Sequence, residues 1–367
     1  MANLYVPQLT EDDLYRKGLR NRWHAVCPSN HVEPGAIHRV RRLGQDWVLF
    51  RKADGSVGML EDRCPHRGAP LSQGKNLGDR IQCSYHGVQV DSSGTVVAVP
   101  GMPGCAIEGE TLVSAPETIE HSGVVMAWFG LTPAEEPAEL TMPDPLTDSE
   151  VSQFLCFVEW DCNWRFGMEN LLDPMHGTFL HHESHSMSEG DIEAKFRIRE
   201  TDRGFFFEKT DQVGVNFDWV ELCFTGVDWV DLSIPYPKSA GPGGPFGIVG
   251  MATAIDEYST AIFFWRYRRV EGWLRDTWRF LYKTTLEPRH WSVLEQDRVM
   301  LESMARDADS AENLYQHDLG VMRIRRMFRQ QARRQAKFLA SLKNDAAAGK
   351  GTPGRPAAPL RPEASTV

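Results

Sequence analysis

The chain has 367 residues, 41% of them hydrophobic, and is long enough for two domains with buried cores. A formal net charge of −10 at pH 7 argues against nucleic acid as a partner. We expect neither a membrane span nor a secretory signal, because there is no long apolar run and residues 1–7 lack a basic or apolar region. A cytoplasmic location is the resulting expectation.

The first predicted domain, over residues 1–145, is small and all-β. It begins with a short polar helix near Thr10, and turn signals such as Asp54-Gly55 separate short runs of β-forming residues. The predicted strands are residues 38–40, 47–50, 57–60, 95–99 and 124–129. Sequence rich in Pro and Glu over residues 133–148 is predicted to be a linker.

Two pairs of potential metal ligands lie within this domain. They are Cys64-Pro65-His66 and, after sixteen intervening residues, Cys83-Ser84-Tyr85-His86. Two thiolates and two imidazoles at this spacing are typical of a Rieske [2Fe–2S] centre, in which histidines replace cysteines on one iron. Zinc, which accepts the same residue types, is the alternative. Glycines and prolines crowd both loops and favour the cluster, because they let backbone N–H groups approach its sulfurs.

A second domain is predicted over residues 146–345. Strand-like runs over residues 154–160 and about 196–265 enclose a helical segment, and helices are predicted from about residue 270 to 342. We interpret this pattern as an antiparallel sheet wrapped round a helix, with an apolar cavity, so the chain is predicted to be α+β. A tail over residues 346–367, rich in Pro, Ala and Gly, is expected to be disordered.

The helical segment contains a second set of potential ligands, within Glu169-Asn170-Leu171-Leu172-Asp173-Pro174-Met175-His176-Gly177-Thr178-Phe179-Leu180-His181. On an ideal helix the step from His176 to His181 turns about 500°, which leaves the imidazoles roughly 140° apart. Pro174 bends a helix, and Gly177 tolerates unusual dihedrals. A distorted helix end is therefore predicted to direct both imidazoles to one metal.

Asp297 is the best candidate for a third ligand. It lies in a predicted helix whose apolar stripe should pack on the core, namely Val293, Met300, Leu301 and Met304. Two histidines and one carboxylate form the facial triad of a mononuclear non-haem Fe(II) site. Zinc suits the same residues but has no use for electrons, so the upstream centre favours iron. The alternative ligands are His182 or His185 in place of His181, and Glu295 in place of Asp297.

The order Cys-x-His-x16-Cys-x2-His, Asn-x2-Asp-x2-His-x4-His and a late helical aspartate resembles a known family. It resembles the terminal oxygenase alpha subunit of Rieske non-haem iron aromatic ring-hydroxylating oxygenases, especially the shorter, alpha-only members, over about residues 20–340. The resemblance implies a helix-grip (START-like) catalytic domain. It also implies that the [2Fe–2S] cluster is held by Cys64, His66, Cys83 and His86, and Fe(II) by His176, His181 and Asp297.

The resemblance further implies that Asp173 is the bridge between the two metal centres. A carboxylate three residues before His176 can accept the N–H of a metal-bound imidazole. In the family the same carboxylate bonds the second cluster histidine, here His86 of the partner subunit, which requires a head-to-tail ring, normally a homotrimer. The alternatives are an ordinary helix residue at Asp173 and an additional beta subunit. Asn170 is predicted to support the site without binding metal.

The expected activity is that of the terminal oxygenase of a multicomponent system. It would use O₂ and NAD(P)H-derived electrons to hydroxylate an aromatic substrate, with or without a carboxylate. The electrons would come from a separate NAD(P)H-dependent reductase, with or without a ferredoxin. The alternatives are O- or N-demethylation of an aromatic ether or amine, and an electron carrier or redox sensor without catalysis. Arg165, Arg266 and Arg268 are candidates for binding a substrate carboxylate, but surface ion pairing is the expectation for each.

Overall fold

The computed structural model describes residues 9–132, 135–183, 192–214, 217–235 and 245–347. Its first part contains one helix and ten short strands. They are α1 (Glu11–Lys17), β1 (Arg22–Pro28), β2 (Ile37–Arg42), β3 (Gln45–Arg51), β4 (Val57–Glu61), β5 (Lys75–Asn76), β6 (Arg80–Gln82), β7 (Gln89–Asp91), β8 (Val96–Ala98), β9 (Thr118–His121) and β10 (Val124–Phe129).

These strands form three small antiparallel sheets, in the orders β1-β10-β9, β2-β3-β4 and β5-β6-β7-β8. The helix α1 begins with a reciprocal cap, in which the Thr10 hydroxyl accepts from the Asp13 N–H and the Asp13 carboxylate accepts from the Thr10 N–H, each at 3.0 Å. The predicted N-terminal helix and all five predicted strands are confirmed, since those strands coincide with β2, β3, β4, β8 and β10.

The second part is built on one antiparallel sheet of seven strands, in the order β11-β17-β16-β15-β14-β13-β12. The strands are β11 (Val151–Trp160), β12 (Phe196–Glu200), β13 (Gly204–Lys209), β14 (Trp219–Phe224), β15 (Asp228–Ile234), β16 (Phe246–Ala254) and β17 (Thr260–Arg269). The helices are α2 (Asp144–Thr147), α3 (Trp164–Leu172), α4 (His176–Leu180), α5 (Leu274–Leu281), α6 (Glu287–Ser303) and α7 (Leu319–Ala347), with a π-helical turn at Tyr282–Leu286. The predicted α+β class, with an all-β part before an antiparallel sheet and C-terminal helices, is confirmed.

Two details differ from the sequence expectations. The predicted linker contains the short helix α2, and α7 continues to Ala347, two residues into the predicted tail. The remainder of that tail lies outside the described residues, and the division at residue 145 stays a prediction. Among the described helices, none combines the length and apolarity needed to cross a membrane.

The helix α3 packs closely on the inner face of the large sheet because a glycine lies on each side of the contact, one in the sheet and one in the helix. A Cβ on Gly250 of β16 would come within 2.5 Å of Leu171 Cδ1, and one on Gly167 of α3 would come within 2.7 Å of Ile262 Cδ1. This close packing fixes the end of α3, from which the second set of predicted ligands follows.

Buried arginines join the two parts of the chain. The Arg22 side chain of β1, only 1% exposed, bonds Asp228 of β15 at 2.5 Å, and Arg42 of β2 bonds Glu159 of β11 at 3.1 Å. The Trp23 N–H also donates to the Gly226 carbonyl at 2.7 Å. Because a buried charge is costly without a partner, these pairs constrain how the two parts pack together.

Candidate metal centres

The two predicted cluster loops have the same backbone pattern. In each, the cysteine N–H donates to a carbonyl five residues on, and a glycine N–H four residues on donates back to the cysteine carbonyl. The bonds are Cys64 N to Ala69 O (2.8 Å), Gly68 N to Cys64 O (2.9 Å), Cys83 N to Val88 O (2.8 Å) and Gly87 N to Cys83 O (3.0 Å). Gly68 and Gly87 both have a φ of 74°, a left-handed conformation that favours glycine.

The four side chains divide into a buried pair and an exposed pair. Cys64 and Cys83 are 3% and 2% exposed, whereas His66 and His86 are exposed, with ring centroids 4.6 Å apart. Burial raises the pKa of the Cys64 thiol, and the backbone N–H groups of His66 and Arg67 oppose this by bonding the sulfur. Such N–H groups stabilise a ligand thiolate.

This arrangement fits a two-iron cluster better than one zinc ion. A tetrahedral zinc site needs all its donors around one point. Within the part of the chain that the structure describes, three donors from this set do not gather within 4.8 Å of one another. Ligands that are divided between two irons need not gather around one point. The division into a cysteine pair and a histidine pair is that of a Rieske centre.

A break between α3 and α4 positions the second pair of histidines. The helix α3 ends at Leu172, Asp173 caps it, and α4 begins at His176. His181 follows the last residue of α4, and the two imidazole centroids lie 5.1 Å apart with planes at 76°. The predicted distorted helix end is therefore confirmed. Unusual dihedrals at Gly177 are not, since this residue is helical within α4.

His176, His181 and Asp297 come together, with one donor atom from each within 4.8 Å of the others. Asp297 Oδ1 is 3.5 Å from His176 Nε2 and 3.2 Å from His181 Nε2. His176 Nδ1–H donates to the Asp173 main-chain carbonyl at 2.5 Å, and His181 Nδ1–H donates to Gln296 Oε1 at 2.8 Å. These acceptors leave both Nε2 lone pairs directed at the same point, beside the carboxylate.

The electrostatics of the three residues suit a bound cation. Burial by itself raises the pKa of Asp297, but the two histidine rings close to its carboxylate outweigh burial and lower the pKa to about 2. Burial by itself lowers the pKa of His176, but the hydrogen bond and the negative charge of Asp297 outweigh burial, so the pKa is raised. Among the described residues, His181 Nε2 is buried without a hydrogen-bond partner, which is costly unless the atom binds a metal. The donor set therefore fits Fe(II).

Asn170 and Asp173 contact the three candidate ligands in different ways. The Asn170 side-chain N–H donates to Asp297 Oδ1 at 3.2 Å. The Asp173 carboxylate accepts from the Met175 N–H at 2.8 Å and lies 3.7 Å from His176 Nδ1, so the predicted bond to that imidazole is made by the Asp173 main-chain carbonyl instead. The sequence does not single out Gln296, because an amide on a helix next to an aspartate has no distinctive pattern.

The alternative ligands do not join the group. His182 is exposed and its Nδ1 donates to the Phe179 carbonyl at 3.2 Å. Glu295 accepts from Arg298 Nε at 2.9 Å on the outer side of α6. His185 lies outside the described residues. The predicted apolar stripe of α6 is wrong in detail: the buried residues are Leu294, Asp297 and Leu301, whereas Met300 and Met304 are exposed.

A narrow cavity adjoins the three ligands. Its volume is about 60 Å³. Three aromatic side chains line it, those of Phe217, Phe246 and Phe264. Most of the remaining wall is aliphatic, as expected for a site that binds a flat apolar molecule.

The expectation that three arginines form surface ion pairs is wrong. Arg165, Arg266 and Arg268 are 1%, 3% and 2% exposed, because β17 and α3 direct these side chains into the protein. Arg165 bonds Asp309 at 3.2 Å. Arg266 lines the cavity, as does His290 of α6.

Comparisons with known proteins agree with both centres. Residues 22–114 match the model of the Rieske [2Fe-2S] domain, and residues 160–334 match that of the vanillate O-demethylase oxygenase C-terminal domain. The 5,5'-dehydrodivanillate O-demethylase oxygenase subunit of Sphingobium sp. is 28% identical over 59% of this chain and 55% of its own length. The oxygenase component of chloroacetanilide N-alkylformylase from Rhizorhabdus wittichii is 36% identical over 50% and 53%.

The matched region spans about half the length of these curated relatives. The fold is also that of solved structures. The terminal oxygenase of carbazole 1,9a-dioxygenase from Nocardioides aromaticivorans superposes with a TM-score of 0.71 at 20% identity, over 89% of this chain and 97% of that one. A complex of a carbazole 1,9a-dioxygenase oxygenase with its ferredoxin gives 0.70 at 21% identity, over 89% and 94%. With a cluster domain followed by a facial-triad domain, this chain belongs to the Rieske non-haem iron oxygenases.

Proposed function

We propose that the chain is the terminal oxygenase of a multicomponent system that uses O₂ and NAD(P)H-derived electrons to hydroxylate an aromatic substrate. The observation that carries the proposal is the convergence of His176, His181 and Asp297 beside an apolar cavity, in a chain that also contains a Rieske domain. A pure electron carrier has no need of the three converging ligands.

Each residue has a defined part in this proposal. Cys64, His66, Cys83 and His86 would hold the cluster, and His176, His181 and Asp297 would hold Fe(II). When bound, the cluster supplies single electrons and the ferrous ion supplies open coordination positions. Asn170 and Gln296 keep the ligands oriented through their bonds to Asp297 and His181. The apolar wall positions the substrate and excludes water.

We also propose a homotrimer in which Asp173 bridges the cluster of one subunit and the iron of another. The Asp173 side chain is 32% exposed and the His86 side chain is exposed, so both are accessible to a second subunit. Electrons would come from a separate reductase, with or without a ferredoxin like the one in the solved carbazole 1,9a-dioxygenase complex. The domain division at residue 145 and a cytoplasmic location are part of the same proposal.

Metal analysis tests the proposal directly. Anaerobically purified protein should contain about three irons per chain, two in the cluster and one in the triad. His176→Ala should retain the cluster's visible absorbance and lose about one iron per chain. An iron content of two in both proteins would instead support the electron carrier.

Demethylation is a second candidate function. The match of residues 160–334 to the vanillate O-demethylase C-terminal domain favours it, as does the similarity to an O-demethylase oxygenase subunit. Product analysis with ¹⁸O₂ and a reductase separates the two functions. A ring hydroxylation leaves labelled oxygen on the ring, whereas removal of a methyl group releases formaldehyde.

A further inference from the structure

Arg266 is a buried cation on the wall of the catalytic cavity. Its guanidinium donates to three uncharged acceptors: Cys156 Sγ at 3.2 Å, the Tyr282 hydroxyl at 3.2 Å and the His290 carbonyl at 2.8 Å. Among the residues that the structure describes, no acid pairs with this guanidinium within 4.0 Å. The acidic Glu287 nearby bonds Lys283 at 2.6 Å instead.

Three other buried arginines do contact an acid. The pairs are Arg22 with Asp228 (2.5 Å), Arg42 with Glu159 (3.1 Å) and Arg165 with Asp309 (3.2 Å). Burying a charge without a counter-ion is costly. Arg20 also lacks an acid partner among the described residues, but it does not line the catalytic cavity. Arg266 thus differs from all four in facing a space that a ligand can enter.

A second residue of the same cavity wall, His290, also has a polar atom without a partner among the described residues. His290 Nδ1 is buried and has no hydrogen-bond partner among the described residues, while its ring packs 4.7 Å from the Phe246 ring. Burial, together with the charges of Arg266 and Arg289, lowers the pKa of His290 to about 3, so the imidazole is neutral. A neutral imidazole can donate one hydrogen bond from Nδ1.

The spacing of these groups from the metal ligands is set by α6. His290 and Asp297 are seven residues apart, so both lie on the same face of the helix, about 10 Å apart along its axis. Between them, Val293 and Leu294 line the cavity, with Phe264 of β17. The cavity therefore has a cationic end and a metal-binding end, with an apolar stretch between them on the scale of one substituted aromatic ring.

We propose that Arg266 and His290 form an anion subsite that binds the carboxylate of an aromatic substrate. The inference rests on the proposed function, since it names the substrate class of the same cavity. A carboxylate accepts paired N–H bonds from a guanidinium and supplies the missing negative charge. A neutral hydrocarbon would leave that charge unpaired. The carboxylate bound at this end directs the opposite side of the ring to the metal ligands.

Ligand binding tests the subsite without any need for turnover. Benzoate and 3-methoxybenzoate, each paired with its carboxamide, are titrated into the holoenzyme and followed by calorimetry. We expect wild-type protein to prefer each carboxylate to the amide of the same shape by at least about tenfold, the scale of a charge-assisted hydrogen bond. Arg266→Gln should remove this preference, while Arg266→Lys should retain part of it.

Arg268→Gln is the matched control, because it removes a buried arginine from the same strand that does not line the cavity. It should keep the carboxylate preference. Equal affinity of wild-type protein for acid and amide, or no binding of either acid, would overturn the subsite whether or not the variants fold. Iron content, measured on the same samples, separates this failure from that of the oxygenase proposal. Three irons per chain without a carboxylate preference would contradict only the subsite. Two irons per chain with a carboxylate preference would contradict only the oxygenase proposal.

Discussion

At the scale of single residues, the direction of each ligand imidazole depends on the group that accepts its Nδ1 proton. His176 donates to a main-chain carbonyl, which no substitution of a side chain removes. His181 donates to the amide oxygen of Gln296, which a substitution can remove. The two ligands therefore differ in how easily their orientation is lost.

Gln296→Leu should weaken iron binding at the triad by about 10- to 100-fold, as expected when the group that orients a ligand is removed. The His181 imidazole would lose its acceptor and the preference for a proton on Nδ1. Iron retained during dialysis against a chelator measures the effect, with cluster absorbance as the internal reference. Glu295→Gln, an exposed neighbour, is the control and should keep its iron. Equal retention by both variants would contradict the role given to Gln296.

The sequence indicates the candidate metal ligands, whereas it does not indicate the residues around them. The five-residue spacing of His176 and His181, which follow Pro174, indicates a broken helix, and the spacing of the cysteines and histidines can be recognised without a structure. The burial of Arg266 was not predictable, because a cation in a strand is on average exposed. Its depth follows from the strand order, which places β17 between β11 and β16 and not at the edge of the sheet.

At the scale of elements, the position of α3 depends on the absence of a side chain at Gly250. Gly250→Ala should reduce the free energy of unfolding by about 1–3 kcal/mol, because the new methyl would overlap Leu171 and displace it or the helix. Urea unfolding measures the change. Since Asn170 directly precedes Leu171 in α3, a displaced helix would also move Asn170, and we expect weaker iron retention.

Gly101→Ala is the control for that change, since a Cβ there meets no atom within 4 Å. It should leave both stability and iron content at wild-type values. A stable Gly250→Ala protein with unchanged iron would show that α3 tolerates a wider separation from the sheet.

The strand pair β14–β15 predicts a dependence of stability on pH. Asp231 lies opposite Glu221, is 5% exposed and accepts from the Tyr267 hydroxyl at 2.8 Å. Burial, with a smaller contribution from Glu221, raises the pKa of Asp231 to about 7. An unfolded aspartate loses its proton near pH 4. Between these values only the folded state keeps the proton, so stability falls as the pH rises and is constant above about 7.

Asp231→Asn should remove this loss, because an amide keeps the bond to Tyr267 without ionising. The variant should equal wild type near pH 4 and exceed it at pH 8, by roughly 1.4 kcal/mol for each unit of the pKa difference. Urea unfolding at both pH values provides the measurement. Asp161→Asn, which changes an exposed carboxylate, should show no such divergence. An equal difference in the free energy of unfolding between Asp231→Asn and wild type at both pH values would contradict the raised pKa of Asp231.

Short strands show the limits of sequence reading at this scale. The strands β3, β4 and β10 are five to seven residues long and mostly buried, and their hydrophobic runs predicted them. The strands β5, β6 and β7 have two or three residues each, too few to show an alternation. The second cluster loop, residues 83–88, joins β6 to β7.

At the scale of the whole molecule, the proposed trimer places Asp173 at the contact between two subunits. Asp173→Asn should keep both metal centres, because its side chain can still accept from the Met175 N–H and the bond to His176 uses the main chain. We expect turnover with a reductase to fall severely while metal content and trimer mass stay unchanged. Analytical ultracentrifugation and iron analysis supply the controls, and normal turnover would refute the bridge.

The π-helical turn at Tyr282–Leu286 affects where the chain can accept the insertion or deletion of a residue. Such a turn holds one residue more than an α-helical turn, so a gain or loss there is absorbed locally. One residue inserted between His290 and Asp297 would instead rotate the carboxylate by about 100° relative to the cationic end of the cavity. Insertions and deletions among homologues are therefore expected to cluster in the π turn and to spare the first three turns of α6.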